Sequence, residues 1–436
     1  MIIAIARRSL LILLVLAAFG SCITPYEFES IGFKRSLVID ASLTTETKAH
    51  FVNLSYTFEI DTSRNEPVER ATVAFIDDAG NRTILPERSP GYYSTDPGFT
   101  GIPGRTYTLE VTLPDGSEYR STPELMPEPV SIDSIYGQYI TIPTDDNSTD
   151  QTGVQVFLDA HSTDDEPKNF RYSFRESFET PVPYPSQYDW VGTGAGFRLI
   201  EREQPLGTCY RKAESTTTLV GTTKGLSENR IASFPIRFIN ESGLELAYSY
   251  IIEVSQFTIS GNAHAFYRYL QESNEGAGSL SDRQLGSING NIANVSDPLT
   301  PVLGYFEVAG VATTKRTFSY HQFLDEGIRT EEWICLPLED GQDLGLGCTY
   351  IGPEAWPVRF TQEEIIINPR TGDTIRNLVT FFNFGAIDAL VNNPQCGESE
   401  RIVGFSDTGE EILMAHELCG DCTLYGSLDR PSVWDD

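Results

Sequence analysis

Short segments of this chain, one after another, place apolar side chains at every second position, and that period favours β-sheet. Val52, Leu54, Tyr56, Phe58 and Ile60 alternate with polar or small partners. That is the pattern of a strand with one face on a core and the other in water. Residues 37–43 read as an earlier strand and 72–76 as a later one, closed at 77–81 by Asp-Asp-Ala-Gly-Asn, a hairpin turn signal. Residues 105–113 alternate again, and Pro114, Asp115 and Gly116 turn the chain before Tyr119. Short strands, turn clusters and no helical period predict a β-sandwich over 37–127.

Pro123, Pro127 and Pro129 stiffen the chain and interrupt pairing, which places a boundary at 127/128. Beyond it the alternation resumes: Val154, Val156 and Leu158, then Phe170, Tyr172 and Phe174, then Leu246, Tyr248, Tyr250, Ile252 and Val254. Residues 302–308 and 378–384 are more continuously apolar, as more deeply buried strands are. One segment changes period. Ala263, Phe266, Tyr267 and Leu270 recur at i, i+3, i+4 and i+7, with Ser260 or Asn262 placed to cap and Gly276 to stop. The expected architecture is mostly β: an N-terminal immunoglobulin-like β-sandwich at 37–127, then a larger β-rich domain at 128–436 with one short amphipathic helix. Gly-Arg-Thr-Tyr at 104–107 resembles the tyrosine corner of immunoglobulin-like domains, whose hydroxyl bonds a nearby backbone. The alternative is a simple cross-strand aromatic.

The first 22 residues read as an address rather than as structure. Arg7 and Arg8 precede an apolar run at 10–18, and Phe19, Gly20 and Ser21 lead to Cys22. The run is shorter than the ~20 residues a membrane span needs. The arrangement resembles a bacterial lipoprotein signal, with 1–21 removed and Cys22 acylated. The alternative is an ordinary secretory signal cut nearby. Residues 22–36 then form a polar tether. Ile23 rather than Asp after Cys22 resembles outer-membrane sorting, and Glu27 and Glu29 resemble a surface-export signal. The net charge of −31, from 62 Asp plus Glu against 31 Lys plus Arg, excludes nucleic acid as an expected partner. Six cysteines remain after Cys22, and an even number in an exported chain reads as disulfides. The preferred pairing is Cys335 with Cys348, while Cys209 and Cys396 each take one of Cys419 and Cys422.

Several stretches together resemble the Bacteroidota outer-membrane lipoproteins called domain of unknown function 4249. They are Arg-Ala-Thr-Val-Ala-Phe-Ile-Asp-Asp-Ala-Gly at 70–80, Gly-Tyr-Tyr-Ser-Thr-Asp-Pro-Gly at 91–98, 104–109, and Pro-Val-Ser-Ile-Asp-Ser-Ile-Tyr at 129–136. Further along come 226–231 with Phe234 and Pro235, the helix with Gly-Ser-Leu at 278–280, Gly-Asn-Ile-Ala-Asn at 290–294, and Pro-Val-Leu-Gly-Tyr-Phe at 301–306. The tail supplies 419–423 and Arg-Pro-Ser-Val-Trp at 430–434. The resemblance implies a surface or outer-membrane lipoprotein, often encoded beside a TonB-dependent transporter. It brings no established activity and no catalytic residue.

Four constellations are candidates for chemistry. His416, Cys419 and Cys422 with Cys396 have zinc-like spacing, but in an oxidising compartment the thiols are expected to pair with one another. Asp145, Asp146, Asn147 and Asp150 offer hard oxygens to Ca²⁺, and a solvated acidic loop is the preferred reading. Neither a His-Glu-x-x-His, a Gly-x-Ser-x-Gly nor a Walker motif is present, so no catalytic residue and no cofactor is assigned. Phe178, Tyr184, Tyr188 and Trp190 surround Pro181, Pro183 and Pro185, an extended stretch that presents rings to a glycan, peptide or protein. The alternative, slightly preferred, is that these rings fold back as a satellite core. The function expected is a lipid-anchored outer-membrane binding or accessory protein. It would contact lipid through acylated Cys22 and work beside a β-barrel transporter. A secreted hydrolase acting on glycans or peptides and a structural adhesin or envelope scaffold are the alternatives.

Overall fold

Alternation decides which face each strand buries. In the first half the strands are β1 (Leu37–Thr44), β2 (Phe51–Tyr56), β3 (Glu66–Pro67), β4 (Thr72–Asp77), β5 (Arg82–Leu85), β6 (Glu87–Ser89), β7 (Tyr92–Ser94), β8 (Thr106–Thr112), β9 (Glu118–Ser121) and β10 (Glu124–Leu125). Then come β11 (Ile132–Ile142), β12 (Gln151–His161), β13 (Asn169–Pro181), β14 (Tyr188–Thr193), β15 (Gly196–Glu201), β16 (Thr208–Glu214), β17 (Leu219–Thr222), β18 (Arg230–Asn240) and β19 (Tyr250–Ile259). Helix α1 (Gly261–Gly276) precedes β20 (Ile292–Asn294), β21 (Val302–Phe318), β22 (Thr361–Ile367), β23 (Thr374–Thr380), β24 (Glu400–Phe405) and β25 (Ile412–His416). The computed structural model describes residues 35–58, 66–143, 150–182, 185–193, 196–241, 243–276, 290–326, 328, 361–367, 374–380, 400–405, 412–416 and 421–434.

The first sandwich sets β1, β2 and β7 side by side against β5, β4, β8 and β9. That order, with crossings after β3, β5 and β7, is the immunoglobulin-like arrangement. Ile39, Leu54, Phe75, Tyr93, Leu109 and Val111 fill the space between the sheets. Each buried side chain of this size contributes about 1.5–3 kcal/mol. Tyr107 is the second residue of β8, and its hydroxyl accepts the Ile102 N–H at 2.9 Å. Of the two readings open at that tyrosine, the corner is the one its hydrogen bond matches.

The unit bounded by sequence at 37–127 draws on residues far beyond it. β20 pairs with β9, and the first half of β21 pairs in parallel with β1. Ile292, Val302, Phe306 and Val308 enter the same core. β21 then continues past Gly310 and pairs antiparallel with β19, so one strand of 17 residues belongs to both halves of the molecule.

In the second sandwich β16, β13, β19 and the far half of β21 lie side by side and face the sheet β11, β12, β18. Val154, Val156, Leu158, Phe170, Tyr172, Ile252, Val254 and Phe318 pack between them. Helix α1 covers the opposite face of the larger sheet through Ala263, Phe266 and Tyr267 on Phe257, Ile259 and Tyr305. Ser260 is the residue that caps it, its Oγ accepting the Ala263 N–H at 3.2 Å. The observed fold is mostly β with this single α-helix among the described residues, as expected, and at 16 residues the helix is longer than the short one anticipated.

Candidate functional site

The three-stranded sheet has one face on the second core, so the residues between its core positions point the other way. In β12 those residues are Gln155, Phe157 and Asp159. Register sets Tyr136 and Gln138 of β11 opposite Phe157 and Gln155, and Pro235 and Phe238 of β18 opposite the same two. The outer face is therefore a strip of half-buried rings, Tyr136, Phe157 and Phe238, edged by amides and a carboxylate. The Tyr136 and Phe157 rings lie 5.8 Å apart, tilted by 32°.

One end of the strip is held by hydrogen bonds. The Tyr136 hydroxyl donates to Asp159 Oδ1 at 3.3 Å and lies 2.8 Å from Ser233 Oγ. The Ser233 N–H also donates to Asp159 Oδ1, at 2.7 Å. His161 Nδ1 sits 2.7 Å from Asp133, and Arg230 lies 3.8 Å from Asp159. Ser233 has φ 53°, a left-handed conformation that costs a non-glycine residue about 1–3 kcal/mol. The pairing of β12 with β18 shifts register between Val156 and Phe157 and again between Leu158 and Ala160. Bulges of this kind re-aim side chains, and here one falls just before Phe157 and the other takes in Asp159.

Behind the strip, Arg237 of β18 grips Glu176 with Nε at 2.9 Å and Nη2 at 3.1 Å, and Tyr250 donates to the same carboxylate at 2.7 Å. Burial and Glu176 push the Tyr250 hydroxyl well above its ordinary value, so it stays a donor. Burial alone would lower Arg237, but Glu176 outweighs it and the net shift is upward. The network fixes β18 to the sheet behind it. A rigid face of rings beside amide and carboxylate oxygens suits a ligand with one apolar face and hydrogen-bonding groups along its edge.

The sequence also offered rings at 178–190, with packing back as a satellite core the preferred reading. Phe178 is buried in β13 and packs in the second core, so it is not presented to a partner. β13 runs on to Pro181, between β16 and β19 as far as Phe178 and along β16 alone from there, where an extended loop was expected. Tyr188 opens β14 opposite Glu201 and Ile402, and Trp190 follows in the same strand. Tyr184 lies outside the described residues, as do Cys22, Asp145, Asp146, Asn147, Cys335, Cys348, Cys396 and Cys419. Asp150 is exposed just before β12. Cys209 is joined to Cys422, which takes Cys422 out of the zinc set with His416. Among the described residues no group of three or more His, Cys, Asp or Glu is placed to hold a metal ion.

Tyr136, Phe157 and Phe238 went unread as site residues. Their signal was present: aromatics in the polar phase of an alternating strand, as Phe157 is between Val156 and Leu158. The family described as Domain of unknown function (DUF4249) matches residues 23–315, from before β1 through most of β21. The chain belongs to that family. No curated protein matches it. Among solved structures, a putative membrane anchored protein from Corynebacterium diphtheriae is similar at 11% identity with a TM-score of 0.15, over 51% of this chain and 54% of that one. This DUF4249 chain thus spans about half the length of that protein. A lamprey immune protein is similar at 7% identity with a TM-score of 0.08, over 66% of this chain and 90% of the other. At those scores neither structure bears on fold or function. Among the described residues no helix is long and apolar enough to cross a membrane.

Proposed function

We propose that this DUF4249 protein is a Bacteroidota-type lipid-anchored binding subunit of the outer membrane. It captures a ligand on the outer face of β11, β12 and β18 for a TonB-dependent transporter. The observation that carries the binding role is the strip of Tyr136, Phe157 and Phe238 on the water-facing side of a sheet whose other side is core. Such rings bury area on a ligand at little entropic cost, and the Asp159 and Ser233 end supplies orientation. The anchor rests on Cys22 behind its apolar run, since two or three acyl chains hold a protein stably where one does not. The transporter rests on the sequence resemblance, and sharing one membrane plane would raise the effective concentration of the two proteins.

The test is affinity purification of the full chain from solubilised outer membrane, with mass spectrometry, beside a panel of immobilised glycans and peptides. A β-barrel transporter co-purifies, and one ligand class is retained. Tyr136→Ala with Phe157→Ala lowers that retention at least tenfold while leaving the transporter bound. Equal retention by the double variant removes the strip as the binding surface. Cys22→Ser moves the protein to the soluble fraction, and unchanged membrane association removes the anchor.

A further inference from the structure

The first sandwich has one end at which the chain leads into β1. Ser36 accepts the Thr57 N–H there at 2.9 Å. Arg35 binds Glu66 at 2.6 Å, with its guanidinium 3.7 Å from the centre of the Tyr56 ring. Register puts Leu37 between Tyr56 of β2 and Val302 of β21. The chain leaving β2 and the chain approaching β21 therefore hang from this same end. Neighbouring strands are ~4.8 Å apart, so Tyr56 and Val302 flank Leu37 about 10 Å from each other, with Phe58 two residues beyond the one and Leu299 three before the other. Val295 joins them from the facing sheet, its N–H bonded to the Glu118 carbonyl at 2.8 Å beside the turn into β9.

All three side chains are exposed: Leu299 at 91%, Val295 at 48% and Phe58 at 46%. Leu299 is held out by a built turn. Asp297 accepts the Leu299 N–H at 3.3 Å and the Thr300 hydroxyl at 2.6 Å. Asn294 Oδ1 accepts the N–H groups of Ser296 and Asp297, both at 2.9 Å.

We propose that this end is a lipid-contacting face. Phe58, Val295 and Leu299 enter the acyl boundary of a zwitterionic bilayer, with Tyr56 and Arg35 at headgroup level. The place where the chain leads off selects the occupant. Cys22 stands thirteen residues before Arg35, a reach of at most about 45 Å, so an acylated Cys22 holds this end nearest the membrane. This step rests on the anchoring reading above. Tyrosine and arginine behind apolar tips have the chemistry of a membrane interface. The carboxylates at this end select a zwitterionic surface. Glu66 pairs with Arg35, Asp115 accepts the Ser117 N–H, Asp297 is held in its turn, and Glu118 is exposed, so anionic headgroups would be repelled. Seated this way, β21 runs on the order of 50 Å away from the bilayer and carries the ring strip clear of it.

Photo-crosslinking tests the face. The mature full chain is placed in phosphatidylcholine vesicles containing a lipid with a diazirine in its acyl chain, and adducts are mapped by mass spectrometry. Adducts fall on peptides holding Phe58 and Val295 to Leu299, and none on β11, β12 or β18. Val295→Asp with Leu299→Asp lowers the adducts on their own peptide about tenfold, while the protein still pellets with the vesicles. Adducts spread evenly over an acylated, pelleted protein overturn the proposal. The mass of the N-terminal peptide reports the anchor separately. If it carries no acyl group, the anchoring reading fails, and the same vesicles decide the face alone: adducts at Val295 to Leu299 sustain it and their absence overturns it.

Discussion

Glu307 is 1% exposed at the side chain and lies under helix α1, where Arg171 grips it with Nε and Nη2, both at 2.7 Å. The Arg171 guanidinium stacks 3.9 Å from the Phe257 ring and 5.1 Å from that of Tyr267. Burial alone would lower the Arg171 pKa, yet Glu307 drives it above its ordinary value. Removing one member of such a pair strands the other charge. Glu307→Ala is expected to cost about 3–5 kcal/mol in urea unfolding, and Arg171→Met with Glu307→Leu clearly less. Equal losses would mean the pair is not coupled. His50 is buried as well. Its Nδ1 accepts the Thr44 N–H at 3.3 Å, and Nε2 lies 3.1 Å from the Glu46 carbonyl, which suits a neutral ring. Burial first, and Lys48 second, hold its pKa below the usual imidazole value. The unfolded chain therefore takes up the proton sooner. The stability this neutral ring contributes is whole above about pH 6.5 and falls as pH drops from there toward the folded value. Against His50→Asn, the native protein should lose up to ~1.4 kcal/mol more per pH unit across that window. Parallel stability curves for the two would refute it.

Among the elements, β1 and β21 come together closely because one residue has no side chain. Gly304 has φ 100°, and a Cβ there would stand 2.0 Å from the Ile39 carbonyl oxygen. Gly116 has a similar φ of 88° at the tip of a hairpin, with nothing within 4 Å. Alanine at Gly116 should cost about 1–2 kcal/mol of backbone strain, and at Gly304 clearly more, because β1 must also move. Matched thermal melts of the two variants check this, and equal losses would show the close approach to be relaxed. Strands whose partners lie nearby were legible from alternation: 72–76 became β4 and 105–113 became β8 with a residue or so of change at each end. The helix was legible from its period and its serine cap. β21 was read only at 302–308, because its second half carries exposed Thr313, Lys315, Arg316 and Thr317 and owes its extension to β19, a partner more than fifty residues away. The ring strip was missed for a related reason. Alternation marks Phe157 as the odd ring between Val156 and Leu158, but only the register brings Tyr136 and Phe238 beside it on the water-facing side.

For the molecule as a whole, the same strand makes two sandwiches into one cooperative object. Phe306 stacks on Phe75 at 5.4 Å inside the first core, and Phe318 closes on Tyr250 at 6.3 Å in the second, twelve residues along β21. The C-terminal segment ties the far side. Cys422 bonds Cys209 across 213 residues, Tyr210 and Ser427 exchange backbone hydrogen bonds at 2.7 and 2.9 Å, and the Trp434 indole donates to Ser177 at 2.9 Å. A chain cut at the proline-rich linker loses Ile292, Val302, Phe306 and Val308 from the first core and leaves β1 and β9 with open edges. The fragment 35–127 should therefore show no cooperative unfolding by circular dichroism, although its strands carry the immunoglobulin-like order. In the intact protein, Phe306→Ala removes a ring worth about 3–5 kcal/mol from the first core. Because the strand is shared, amide exchange should quicken in β8 and in β12 together. A cooperative melt of the fragment, or faster exchange confined to β8, would mean that the sandwiches fold independently and that β21 only runs between them.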